Sequence, residues 1–202
     1  MRFCKYRCFL AMFFLFLQPS FLLAAPVQPR PPHPHQRVYL LRGFMNVFSL
    51  GMDQLADELR RRGIDAVVAN HTLSGVYANE AIRDCRAGQI NSIAIVGHSL
   101  GATAGVGMAD QIGQAGLKVG LVVTVDPISP TAAPGNVKIL KNFYISDGVG
   151  KTVGAAQGFH GSLQNIDVKG EAGIGHVAIA SSAHVHQQVM RYIAAAAANR
   201  CQ

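Results

Sequence analysis

In Gly97-His98-Ser99-Leu100-Gly101, residue type and spacing imply chemistry more directly than anywhere else in the chain. A serine hydroxyl is a weak nucleophile until a base takes its proton and the backbone presents it to a carbonyl carbon. This serine follows the continuous apolar, β-branched run 90–96 and precedes a run of helical period over about residues 100–115. Glycine on both sides permits a sharp strand-to-helix turn, which strains the backbone and brings neighbouring elements close. The helix start supplies N–H groups lacking intrahelical partners, so the N–H of Leu100 is the first expected donor to a developing oxyanion. The plain alternative is an ordinary glycine-rich turn. Ala102, Ala104, Gly105 and Gly107 continue the small residues and predict close packing of this helix on the sheet.

A base and an acid must complete the chemistry. His176 lies in Gly173-Ile-Gly-His, a glycine-containing loop between the last strand-like and the last helix-like segments. Two acids stand at strand ends. Asp126 directly follows the run 118–125, which Pro127 stops, and Asp147 follows the next run in Ser146-Asp147-Gly148, a common turn pair. Among the other histidines, His160 sits in a long loop and could line the site, while His98 within the turn reads as structural support. His184 and His186 fall in the first turns of the closing helix and read as solvated. Their two-residue spacing, with no Cys or acid cluster beside them, is a weak metal signal.

The elements that must position these groups alternate between strand and helix, which is the signature of a mostly parallel sheet covered by helices. Strands are expected at 37–42, 64–69, 90–96, 118–125, 137–145 and 164–168. Helices are expected from Met52 to Gly63, at 76–87, from about 100 to 115 and from 182 to about 198. The fold class is therefore α/β, a three-layer αβα sandwich around a mostly parallel six-stranded sheet. Long Gly- and Pro-rich connections at 126–136 and 146–163 fall on the Ser99 side, where ligands bind in open α/β sheets.

The strand-turn-helix at Ser99 resembles the nucleophile elbow of the α/β-hydrolase superfamily, and the lack of a cap insertion is similar to its small lipase-, cutinase- and thioesterase-like members. The resemblance spans 37–198. It implies the chain order nucleophile, acid, histidine, hence Ser99, then Asp126 or Asp147, then His176. The superfamily usually places its acid after the second strand beyond the elbow, at Asp147. Some lipases place it after the first, ending in Asp-Pro, as at Asp126. Asp126 is the expected acid and Asp147 the alternative. Lipase-like members carry His-Gly and an apolar residue after the first strand. Here the triplet is Arg42-Gly43-Phe44, so the N–H of Phe44 is the implied second oxyanion donor and arginine for histidine is a departure. Met45, Val47, Phe48 and Leu50 beside it could contact substrate or belong to the core. The resemblance implies a serine hydrolase of carboxylic ester or thioester bonds that acts on a small-molecule or lipid-like ester without cofactor or metal. A non-catalytic binding protein on the same scaffold and an acyltransferase are the rival readings.

Half of the 202 residues are apolar, enough for one sizeable core. Residues 1–25 have the layout of a secretory signal, with Arg2, Lys5 and Arg7 before an apolar stretch too short to span a bilayer. Residues 26–36 form a Pro-rich spacer that includes His33 and His35, and the domain occupies 37–202. Export is expected, with anchoring by an uncleaved segment as the alternative and the only membrane contact. Without the signal, the eighteen Lys and Arg fall to fifteen against eleven acids, a net +4. No Lys/Arg block is interleaved with aromatics, so nucleic acid is not an expected partner. Arg60-Arg61-Arg62 reads as the basic last turn of a helix. Cys85 and Cys201 permit one disulfide, although Cys85 shares a helical stripe with Ala81 and Ile82 and reads as a buried thiol. Gly148-Val-Gly-Lys-Thr152 resembles the end of a phosphate-binding loop, but Ile145 stands where that motif needs glycine, so nucleotide binding is not expected.

Overall fold

Strand-like and helix-like runs form the elements in the order expected in a computed structural model that describes residues 35–44, 50–171 and 173–202. The proposed signal, most of the spacer, and Met45, Val47 and Phe48 lie outside the described residues. The elements are β1 (Gln36–Arg42), α1 (Leu50–Arg61), β2 (Asp65–Asn70), α2 (Ser74–Arg86), β3 (Ser92–His98) and α3 (Leu100–Gln114). They continue with β4 (Leu121–Val125), β5 (Thr131–Ala133), β6 (Ile139–Tyr144), β7 (Val153–Ala155), β8 (Ser162–Asp167) and α4 (Ala183–Ala196).

Six strands form one sheet in the order β2-β1-β3-β4-β6-β8, each neighbouring pair parallel. The chain runs outward from β1 to β2 and returns to the far side of β1 as β3, so the order reverses between β1 and β3. Such a reversal opens a crevice beyond the carboxyl ends of the strands. Gly43 and Phe44, which follow β1, and Ser99, which follows β3, flank that point.

Strand periodicity divides the core into two layers. Val38, Leu40, Ala94 and Val96 pack with Met52, Leu55 and Leu59 of α1 and with Val185, Val189 and Ile193 of α4. Tyr39, Leu41, Ile93 and Ile95 pack on the opposite face with Ala78 and Ala81 of α2 and with Val106, Ala109 and Ile112 of α3. Arg60 and Arg61 occupy the last turn of α1, where the helix dipole favours cations. Ser182 caps α4 by accepting from Val185 N–H at 3.3 Å.

Several boundaries differ from the sequence expectation because strand pairing sets them. β3 begins at Ser92 rather than residue 90, in register with Gln36 at the start of β1. β8 begins at Ser162 rather than 164, opposite Ile139 of β6. β4 begins only at Leu121, and the earlier Val119 makes an isolated bridge to Val137. The two long loops also contain β5 and β7, a small parallel pair that the sequence does not announce, since three residues are too few to show a period.

The free-thiol expectation for Cys85 is overturned. Cys85, near the end of α2, is bonded to Cys201, and both are buried. The helical stripe predicted its burial, but only the path of the C-terminus brings its partner. Gly107 is likewise corrected. It is exposed, with nothing within 4 Å of a Cβ built there, so its smallness serves no packing, unlike that of Gly105, where a Cβ would lie 3.0 Å from Ile95.

Candidate active site

The turn at Ser99 is built by exclusion. A Cβ on Gly97 would overlap the carbonyl of Gly101, and one on Gly101 would overlap the carbonyl of Leu41 in β1. Both glycines therefore permit the close approach of strand and helix that the turn requires. Ser99 takes φ 59° and ψ −120°, a strained conformation for a residue with a side chain, and α3 starts at the next residue. The Ser99 N–H is tied to the carbonyl of Val125 at 2.9 Å. Its hydroxyl does not cap α3 and turns toward His176 instead.

Asp126 occupies the equivalent place one strand over, directly after β4. It is fully buried and also left-handed, at φ 48°. Its N–H donates to Phe143 O at 2.7 Å, and its Oδ1 accepts from the N–H of Ile145 at 3.1 Å. Oδ2 remains for His176, whose Nδ1 stands 2.6 Å away. His176 Nε2 lies 3.0 Å from Ser99 Oγ. A carboxylate oxygen accepts, so Nδ1 donates to it and Nε2 is left to accept from the serine hydroxyl. Asp126, His176 and Ser99 thus form one continuous hydrogen-bonded chain, joining residues 50 and 77 positions apart. Asp147, the alternative acid, is exposed in the turn after β6.

The two expected oxyanion donors lie at the start of α3 and just after β1. Leu100 opens α3, whose first N–H groups have no partners within the helix. Phe44 follows β1 with its side chain exposed. Arg42, which replaces the histidine of lipase-like members, pairs with Asp53 and ties the end of β1 to the first turn of α1.

Of the four other histidines considered, His98 and His184 sit as expected, whereas His186 and His160 do not. His98 is buried, and its Nε2 donates to the backbone carbonyl of His176 at 2.7 Å. His186 is buried rather than solvated. Its Nε2 lies 2.7 Å from Ala180 O and its Nδ1 lies 3.3 Å from Glu58 Oε1, because that face of α4 turns inward onto α1. His184 is exposed, 3.6 Å from Glu171. His160 does not line the site. With Lys118, Asn136 and Lys138 it borders a cavity of about 390 Å³ beside the amino ends of β4, β6 and β8, the edge of the sheet opposite Ser99. Among the described residues no group of His, Cys, Asp and Glu is placed to hold a metal ion. The segment from Gly148 to Thr152 links β6 to β7, not a strand to a helix as a phosphate-binding loop requires.

Gly150 is a site residue that sequence reasoning missed. A Cβ there would overlap Asp126 Oδ1, so the backbone at Gly150 closes over the buried acid. Residues 148–152 are noticeable for their glycines, yet nothing local in them points to Asp126.

No protein-family model matches the chain, and no curated protein resembles it in sequence. Solved structures do. The ydeN gene product from B. subtilis is 14% identical, with 79% of this chain and 99% of that chain covered and a TM-score of 0.51. A cutinase-like protein from Cryptococcus sp. is 12% identical over 80% and 94% of the two chains, with a TM-score of 0.48. A candidate hydrolase of the alpha/beta superfamily from Xanthomonas campestris pv. campestris is 16% identical over 81% and 97%, with a TM-score of 0.46. Identities this low bear on architecture alone, and the architecture of this chain is an α/β fold with a six-stranded parallel sheet and helices on both faces, shared with the ydeN gene product.

Proposed function

We propose that this chain is a serine hydrolase of carboxylic ester or thioester bonds. The observation that carries the proposal is the unbroken hydrogen-bonded chain from Asp126 through His176 to Ser99. As Ser99 Oγ bonds to the carbonyl carbon, its proton passes to His176 Nε2 and the carbonyl π electrons move to oxygen. The N–H groups of Leu100 and Phe44 stabilise that oxyanion, each supplying about 3 kcal/mol. Asp126 stabilises the imidazolium and keeps its Nδ1–H in place. The tetrahedral adduct collapses, and His176 returns the proton to the departing alkoxide or thiolate. Water then repeats the sequence on the acyl-serine, with His176 as base, and releases the acid. No step calls for a cofactor.

An ester with an apolar body suits the rim. Among the described residues, the large apolar side chains left exposed are Phe44, Leu50, Leu73, Val76, Val149 and Val177. Each falls on a segment that follows the carboxyl end of a strand: β1 for the first two, β2 for the next two, then β6 and β8. That is the edge bearing Ser99, so the apolar exposure gathers where substrate must arrive. Export is part of the same proposal. The amino-terminal layout supports it, as does the Cys85–Cys201 disulfide, a bond that persists in oxidising compartments. No helix among the described residues is long and apolar enough to cross a membrane.

The test is Ser99→Ala assayed on nitrophenyl esters of increasing acyl length, beside labelling with a fluorophosphonate probe. Loss of turnover by about 10⁶-fold and loss of label are expected. Unchanged hydrolysis in the variant would end the proposal. A wild-type chain that takes no label would favour a binding protein on this scaffold, and acyl products formed with added alcohols or amines would favour transfer over hydrolysis.

A further inference from the structure

The structure points to His98 as a positioning residue, one that holds the backbone of the His176 loop over the elbow. This rests on the proposal that His176 is the base for Ser99. The two hydrogen bonds on the His176 ring act on the side chain alone. The loop beneath that ring has no regular structure before the 3₁₀ turn Ala178–Ser181, has glycine at 173 and 175, and leaves the His176 side chain a third exposed. Such a segment has many backbone states open to it. His98 closes one route of escape by donating Nε2–H to the His176 carbonyl at 2.7 Å. It can do so rigidly because it ends β3, is 1% exposed and immediately precedes the nucleophile. One strand end thereby carries both the attacking oxygen and the clamp that aligns its base.

Histidine suits this position for two reasons. A carbonyl only accepts, so Nε2 must carry hydrogen. Burial also pushes the His98 pKa down to about 4, so the ring stays neutral at ordinary pH. Neutrality matters because the two rings lie 5.0 Å apart, and a permanent cation there would oppose the positive charge that His176 acquires during the reaction. The far end of the same segment is held in the same manner, by His186 Nε2 on the carbonyl of Ala180 at 2.7 Å.

The experiment compares His98→Leu with His98→Gln, whose amide nitrogen stands near the place of Nε2. His98→Leu should lower kcat for a nitrophenyl ester by about 10–100-fold with KM little changed, the penalty expected of a base displaced by around 1 Å. His98→Gln should recover most of it. In a His176→Ala background, His98→Leu should lower the residual rate no further. If His98→Leu does not fold, His98→Asn, whose amide stops short of that position, takes its place. A wild-type kcat in His98→Leu, a glutamine variant as slow as the leucine one at equal thermal stability, or an undiminished effect without His176 would each overturn the inference. A second readout needs no turnover: the low-field Nδ1–H resonance of His176, assigned by its loss in His176→Ala. Its loss in His98→Leu and return in His98→Gln would support the clamp even if no ester were cleaved, which would sink the proposed function alone. Its persistence in His98→Leu would overturn the clamp.

Discussion

Two parts of the candidate site are held in opposite ways. Ser99 and Asp126 stand at the ends of neighbouring buried strands, 5% and 0% exposed, both in left-handed backbone conformations. His176 comes from an irregular glycine-flanked loop with its side chain a third exposed. Strained conformations of order 1–3 kcal/mol each persist only where packing over-determines them, and the sheet supplies that packing. A group that takes a proton from one atom and delivers it to another needs a little freedom, which a loop provides. The difference suggests a site in which nucleophile and acid are set by the sheet and the base is brought to them.

Replacing the acid should separate these two modes of support most sharply. Asp126→Asn is expected to lower kcat by about 10⁴-fold, since the amide no longer selects the productive His176 tautomer. Asp147→Asn should change it by no more than roughly twofold, as for an exposed turn residue. Parallel kcat measurements decide, and a larger loss at Asp147 would break the comparison.

Cys85→Ser with Cys201→Ser provides a control remote from both parts of the site. The bond spans 116 residues, so its loss should lower unfolding free energy by roughly 4–5 kcal/mol, read by urea titration, while kcat of the folded fraction stays close to wild type.

Acid should act through His98, the residue that joins the strand-borne side of the site to the loop-borne one. Its pKa is depressed to about 4 in the folded chain, against an ordinary value of 6.5. Above pH 6.5 the ring is neutral in folded and unfolded chains alike, and the full stability is present. As pH falls toward 4, the unfolded chain takes up a proton that the folded chain refuses, so stability is lost, on the order of 3 kcal/mol in all. Urea midpoints across this range should fall in the wild type and flatten in His98→Gln. Equal slopes would remove His98 as the cause.

A smaller loss than at Asp126 is expected at Gly150→Ala. The added methyl must push aside either Asp126 or its own loop, for an expected loss of about 10²-fold in kcat with the site otherwise assembled. Full activity would show that the rigid side yields more readily than its burial implies.

Legibility followed the range of the interactions. The Ser99 turn could be read because its requirements are local: small residues at 97 and 101, an apolar run before them and a helical run after. The six main strands and four helices were readable for the same reason, with their ends shifted by the pairing of each strand to its neighbour. His160 could be noticed but not placed, since a loop residue carries no period and its loop ends at the opposite edge of the sheet. His184 and His186, two positions apart on one helix, look alike in sequence, yet one is exposed and the other is buried against Glu58 of α1.

The amino-acid sequence by itself determined the α/β alternation and the sharp strand-to-helix turn that carries one serine, because backbone preferences and hydrophobic period act over a few residues. Tertiary structure alone decided that His176 meets Asp126 rather than Asp147, that Gly150 closes over that acid, and that Cys85 finds Cys201. These pairings join residues far apart in the chain. Their distances follow from strand order and loop path, which no short stretch of sequence encodes.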